Sequence, residues 1–409
     1  MPDVVVIGGG QAGLSASVCL AQKGIDHIVL EQREIGASWR HQRWDSFCLV
    51  TPNWTVRLPG QAYDGAAPDG FMKGGDFVDF LVRYARNFDV PLRCPVAATG
   101  MAPIDGGWEI STTDGPIKCR AVIVATSNYQ TPYRPPCAAG LEAGVLSLDA
   151  ADYRSPKQLP PGGVLVVGSA QSGGQIVEDL RIAGREVILS VSHAGRVPRR
   201  YRDRDAIDWQ NRLGFLDRPA AALDDPRKRF GGEPLMTGRD GGHTQSLQNF
   251  HSEGVRLVGR VERVDGSVLG LKQDLQENIR NADLFATNFC RDVDDYIAQN
   301  GLTAPLDDGE MEHAAVASME LYEEPLHLNL AHEGVSSVIW ATGFRFDYAW
   351  IKADVFDGFG YPVTARGETA VPGLYFLGLN YLHTRKSGII YGVGEDARYV
   401  AERVRLALG

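Results

Sequence analysis

The chain has 409 residues, 44% of them apolar and 22% charged, values ordinary for a globular protein but more chain than one hydrophobic core usually fills. A formal charge of −10 gives no overall attraction to phosphate backbones or anionic membranes, which argues against a nucleic-acid partner.

The first apolar run, Val4–Ile7, is short and stops at glycines, so it reads as a buried strand and not as the core of a signal peptide. No later stretch approaches the roughly 20 uninterrupted apolar residues that a bilayer span needs, so a cytoplasmic protein without a membrane partner is expected. After the glycines comes a helix from Ala12 to Lys23 and a strand, His27–Leu30, completing a βαβ unit. Mixed loops, a helix over Gly74–Asn87 and an apolar strand from Ala121 to Thr126 follow. Pro132, Pro135, Pro136, Pro156, Pro160 and Pro161 then mark a linker between domains.

The opening pattern recurs directly after that linker, as strand Val164–Val167, a glycine turn, helix Gln171–Ala183 and strand Glu186–Ser190. Recurrence of one supersecondary unit predicts an α/β protein with two Rossmann-like dinucleotide-binding domains, carrying inserted helices and β-hairpins. Residues 1–156 and 347–409 are assigned to the first domain and 157–346 to the second. Between Tyr201 and Asn300 the sequence is polar and rich in helix formers, and predicts an insertion of helices and a hairpin (Val255–Leu269) that covers a substrate pocket. A strand from Val338 to Gly343 and an amphipathic helix, Glu395–Leu408, close the chain.

Six cysteines (Cys19, Cys48, Cys94, Cys119, Cys137 and Cys290) are scattered with no C-x-x-C pair and no histidines at ligand spacing, so all read as structural and no metal is expected. No vicinal pair is present to carry electrons as a dithiol.

Gly8-Gly9-Gly10-Gln11-Ala12-Gly13 supplies G-x-G-x-x-G between a strand and a helix. Gly8 permits the tight turn, Gly10 lets backbone approach a pyrophosphate, and Gly13 lets helix and strand pack closely. Glu31, at the end of the second strand, stands where a carboxylate accepts ribose hydroxyl hydrogen bonds. The second copy is Gly168-Ser169-Ala170-Gln171-Ser172-Gly173, with a methyl group at the central position. No carboxylate follows its second strand; Ser192, His193, Arg196, Arg199 and Arg200 come instead. Arginines there suit the 2′-phosphate of NADPH, the other reading being a solvated basic loop.

Together these residues resemble the flavin-containing monooxygenases and their bacterial relatives among the class B flavoprotein monooxygenases. The resemblance runs over nearly the whole chain. It rests on both glycine motifs, on Gly36-Ala37-Ser38-Trp39-Arg40, on Ala341-Thr342-Gly343-Phe344, on Val371-Pro372-Gly373-Leu374-Tyr375-Phe376-Leu377-Gly378, and on the run from His383 to Ser387. The family's linking fingerprint, F-x-G-x-x-x-H-x-x-x-Y/F-K/R, falls on Ala143 to Arg154, where only Tyr153-Arg154 is kept and Asp149 replaces the histidine.

The resemblance implies FAD on the first fold and NADPH on the second. It places Gln11, Ala12, Gln32, Trp39, Arg40, Val96, Ala125 and Gly378 with the glycines at the flavin, and Ser169, Gln171, Ser172 and Gly173 at the nicotinamide cofactor. Trp39 is either a cover for the flavin or core. Asn53 is either the amide that steadies a flavin peroxide or a turn residue after Pro52. Ser387-Gly388-Ile389 is expected to present backbone N–H groups to the flavin pyrimidine edge, while His383, Arg385 and Lys386 are cofactor contacts or surface residues. The activity implied is a monooxygenase acting through a C4a-(hydro)peroxyflavin, with O2 and an amine, a sulfide or a Baeyer-Villiger carbonyl as substrates, in a monomer or homodimer. The alternatives are an NAD(P)H-dependent flavin oxidase or reductase that oxygenates nothing, and a flavin-bearing redox sensor.

Overall fold

The computed structural model describes residues 1–306 and 322–409. Two five-stranded sheets, each wholly parallel, organise it. The first runs in the order Leu374–Phe376, Ala121–Val124, Val4–Ile7, His27–Leu30, Leu92–Arg93. The second runs Leu146–Asp149, Val335–Trp340, Gly163–Val167, Val187–Ser190, Arg256–Val258. Val4–Ile7 and Gly163–Val167 are buried along their whole length, as central strands covered on both faces require. Each is flanked by strands reached in opposite directions, so the turn at its carboxyl end opens on the crevice where such sheets bind ligands.

The domain boundary differs from the expectation. Leu146–Asp149 lies within the proline-rich stretch yet pairs with Val335–Trp340, so the second domain begins before residue 146 and not at 157. The chain passes between domains at two places, and there Thr131–Pro132 pairs antiparallel with Phe344–Arg345. That pairing makes the two crossings one ribbon. Part of the proline-rich segment is anchored, because Cys137, Ala138, Leu141 and Val145 pack on the apolar cluster of the second domain.

Three boundaries also shift. Arg256–Val258 is the edge strand of the second parallel sheet, and the hairpin is Val261–Asp265 with Val268–Leu271, joined by His327–Asn329. The insertion contains helices Ala206–Arg212, Leu247–Ser252 and Leu275–Gln299. The last helix starts at Ile390, not at Glu395, and lies along helix Gln11–Ala21. Gly392 lets the helix start close against the preceding turn: a Cβ there would stand 2.3 Å from the Lys386 carbonyl oxygen. Among the described residues no helix is long and apolar enough to cross a membrane, and no group of three or more His, Cys, Asp or Glu is placed to hold a metal.

Candidate dinucleotide sites

The first glycine turn is shaped by what a side chain would strike. Gly8 has φ +120°, and a Cβ there would lie 2.4 Å from the Ala125 carbonyl oxygen; a Cβ on Gly13 would lie 1.8 Å from the Gly8 carbonyl oxygen. These two glycines close the turn on its own strand and on the next. Gly10, at the amino end of helix Gln11–Ala21, is different, because a Cβ there meets nothing within 4 Å. The protein leaves space in front of a positive helix end, a cradle that fits a pyrophosphate. The Glu31 carboxylate accepts from the Gly9 N–H at 2.7 Å and the Arg33 N–H at 2.9 Å, so it braces the turn from the end of the second strand.

The other residues assigned to this site surround that turn. Val96 is buried, and its N–H donates to the Glu31 carbonyl at 2.8 Å; the Ala125 N–H donates to the Ile7 carbonyl at 2.8 Å. A Cβ on Gly378 would stand 2.6 Å from the Ala12 methyl, which puts the C-terminal segment directly on the first turn of the helix. Trp39 is half-buried, donates its indole N–H to Gln11 Oε1 at 3.0 Å and meets Phe77 edge-on at 4.9 Å. It therefore fixes the first helical side chain of the cradle. Gln32 and Arg40 are exposed, the latter 3.7 Å from Glu34.

Asn53 is buried at 5% exposure in a single 3-10 turn. Its Nδ2 donates to the Ala67 carbonyl at 2.9 Å, while its Oδ1 finds no partner among the described residues. A buried amide with an unsatisfied oxygen costs free energy unless another group completes it. Sequence reading missed Arg43, whose guanidinium lies 5.4–5.5 Å from the Trp39, Phe47 and Tyr129 rings. Only the spacing from Trp39 hinted at it.

The second turn repeats the first. Gly168 has φ +107°, with a Cβ there 2.5 Å from the Ala341 carbonyl oxygen, and a Cβ on Gly173 would be 1.8 Å from the Gly168 carbonyl oxygen. Two side chains expected at the cofactor are occupied elsewhere. Ser169 Oγ donates to the Ser192 carbonyl at 3.1 Å and accepts from the Ser192 N–H at 3.0 Å, and Gln171 donates to the Pro234 carbonyl. Ser172 is half-buried in the first turn.

The basic loop is a correction. Arg196 and Arg199 are each 1% exposed and hold Asp283 at 2.7 Å and Asp205 at 2.6 Å. Arg200 donates to the carbonyls of Gly241 and Gly242, both at 2.9 Å. Buried guanidinium groups are paired because an unpaired charge out of water is costly, and alternation along the chain could not reveal that the carboxylates lay 87 and six residues away. The first two arginines brace the insertion and are not free to hold a 2′-phosphate.

The C-terminal segment also departs from expectation. The N–H groups of Ser387 and Ile389 donate to the carbonyls of Thr384 and Lys386, both at 3.1 Å, so two of the three amides expected at the flavin edge close a turn instead. Ser387 Oγ accepts from the His383 and Thr384 N–H groups at 3.1 and 3.0 Å. Lys386 is buried between Asp217 at 2.6 Å and Glu395 at 2.7 Å, and the guanidinium of Arg385 lies 4.5 Å from the Phe215 ring. Asp217 and Phe215 come from the insertion, which thus covers this edge of the first domain.

All six cysteines are free thiols, and burial pushes Cys19 up to about 11 and Cys119 up to about 12. Such groups stay protonated and unreactive at neutral pH.

Two parallel sheets, each with a glycine cradle at a helix amino end and joined by a double crossing, define a two-dinucleotide oxidoreductase. A family model described as pyridine nucleotide-disulphide oxidoreductase matches residues 5–207. An uncharacterized CzcO-like oxidoreductase of Geobacillus kaustophilus is 31% identical over 402 residues, covering 97% of each chain. Among solved structures, a flavin-containing monooxygenase from Stenotrophomonas maltophilia superposes with a TM-score of 0.68 at 20% identity, over 100% of this chain and 99% of that one. OTEMO in complex with FAD and NADP gives 0.56 at 15% identity, over 99% and 85%. The fold is that of the flavin-containing monooxygenases, as the resemblance implied, and the chain belongs to the CzcO-like oxidoreductases.

Proposed function

We propose that the protein is an FAD-dependent monooxygenase, reduced by NADPH, that places one oxygen atom of O2 on a small organic substrate, either a soft nucleophile such as an amine or sulfide or a carbonyl. The observation that carries this reading is the buried Asn53 amide, with an unsatisfied oxygen, in the domain whose glycine cradle stands open. The names of two structural neighbours, a flavin-containing monooxygenase and OTEMO with FAD and NADP, support it.

Gly8, Gly10 and Gly13 would hold the FAD pyrophosphate at the helix end, Glu31 the adenosine ribose, and the Trp39–Gln11 hydrogen bond would keep the first turn in place. Bound FAD would supply hydride acceptance from NADPH and reaction with O2. The chain's own contribution is orientation and exclusion of water. Asn53 offers its remaining N–H as a donor without being acidic, and the insertion segment at Phe215 and Asp217 shields the C-terminal edge.

The test is coupling, product formed per NADPH consumed, with an amine, a sulfide and a cyclic ketone as trial substrates. Asn53→Ala should keep its FAD and its rate of reduction while product per NADPH falls about 100-fold and hydrogen peroxide rises, since removing one positioned donor costs about 100- to 1000-fold in the step it serves. Asn53→Asp should uncouple as well, because its carboxylate would also face the Ala67 carbonyl. Unchanged coupling in Asn53→Ala would make Asn53 a loop-holding residue. Peroxide without product from the parent enzyme, on every substrate, would make the protein an oxidase.

A further inference from the structure

Residues 231–245 run as a strap along helix Gln171–Ile182. From Leu235 onward the strap is held firmly: Leu235 is buried and its N–H donates to the Gly195 carbonyl at 2.8 Å. Gln175 donates to the Met236 carbonyl at 3.5 Å, Gln245 to Glu178 at 3.0 Å and Arg239 to Asp179 at 3.0 Å, with both carboxylates buried. His243 lies 2.7 Å from Glu178, whose hydrogen bond holds the imidazole above its usual range. Upstream, Phe230 is fixed in an aromatic cluster, 5.9 Å from Tyr361 and 6.0 Å from Phe346.

Between these anchors lie four residues, Gly231 to Pro234, of which the first three are exposed. Gly232 sits on the second cradle, where a Cβ on it would be 3.0 Å from the Ala170 methyl at the amino end of the helix. At the corresponding place in the first cradle, a Cβ on Gly10 meets nothing within 4 Å. One cradle is open and the other is covered. The cover has two side-chain attachments, Gln171 to the Pro234 carbonyl and an ion pair between Glu233 and Arg385 of the first domain. Arg385 is itself pinned, donating to the Tyr381 hydroxyl oxygen at 3.0 Å and lying over Phe215. The fixed half of the pair is therefore the arginine, and the half on a double-glycine hinge is the glutamate.

We propose that Gly231–Pro234 is a lid over the second cradle, latched by the Glu233–Arg385 ion pair, that must swing aside before a nicotinamide dinucleotide binds. The proposal rests on reading that cradle as the nicotinamide site. Closed, the lid fills the space a pyrophosphate needs and sets a carboxylate beside it, and like charges repel. Open, it leaves Arg385 without its carboxylate partner, ready to attract phosphate. A ligand that binds only the open state has its apparent affinity reduced by the fraction closed, so weakening the latch tightens binding.

The experiment titrates the oxidised FAD holoenzyme with NADP+, followed by flavin absorbance, with FAD content as the folding control. Glu233→Gln removes the charge of the latch, and Gly232→Ala presses a methyl on Ala170; each should bind NADP+ about three- to fivefold more tightly, the range of a partly exposed ion pair. Trypsin should cut after Lys228 or Arg229 faster in Glu233→Gln than in the parent, and NADP+ should speed the cut in the parent. Measurable NADP+ binding by the parent with no gain in either variant would overturn the lid and leave the cofactor reading standing. No binding of NADP+ or NAD+ by parent or variants, with FAD intact, would overturn the nicotinamide reading and the lid with it.

Discussion

Gly10→Val should give a folded but colourless protein. The space in front of Gly10 is empty, its φ is an ordinary −90°, and no protein atom lies within 4 Å of a Cβ there, so valine creates no clash within the chain. Only a bound pyrophosphate would meet the new side chain, and the loss is then close to complete. Gly13→Ala is the contrasting control: its methyl would lie 1.8 Å from the Gly8 carbonyl oxygen, which forces helix from strand and should cost the fold itself. The measurements are flavin absorbance per protein and circular dichroism. A yellow Gly10→Val protein, or a Gly13→Ala protein as stable as the parent, would show that this turn is not the flavin cradle described.

Arg199→Ala should destabilise the protein by about 3–5 kcal/mol, the range for breaking a buried pair by removing one partner. The guanidinium donates to Asp205 at 2.6 and 2.8 Å and to the Val50 carbonyl at 2.8 Å, and lies 4.4 Å from the Phe71 ring. It thus ties the insertion to the first domain. Burial pulls its pKa below the usual arginine range, and Asp205 pushes back. Without it Asp205, which also caps helix Ala206–Arg212 through the Ile207 N–H at 2.8 Å, loses the guanidinium that pairs it. Denaturant unfolding measures the loss, and titrations with NADH and NADPH should move together. A fold of parental stability with NADPH alone weakened would return Arg199 to the 2′-phosphate.

The same residues show where sequence reading reaches. Gly8, Gly10 and Gly13 with Glu31 were legible because the strand–turn–helix pattern, the Gly13 requirement and the hydrogen bond from Gly9 to Glu31 are local to one βαβ unit, although the close approach at Gly8 is to the distant Ala125 carbonyl. The second turn was legible for the same reason. Arg196 and Arg199 were misread because a charged side chain in sequence looks solvated until its partner is known, and Asp283 is 87 residues from Arg196.

Periodicity, glycine spacing and the repeat of one supersecondary unit determined by themselves that there are two parallel sheets, each with a cradle at the carboxyl end of its central strand. These are consequences of chain geometry over a few turns, and no distant residue has to be placed to predict them. Tertiary structure alone decided that Leu146–Asp149 joins the second sheet, that Asn53 keeps an oxygen without a partner, that Ser387 caps a turn, and that Gly232 lies on Ala170. Each depends on which distant backbone or side chain packing brings alongside, because burial presses polar groups to take partners and only the folded chain specifies which ones they find.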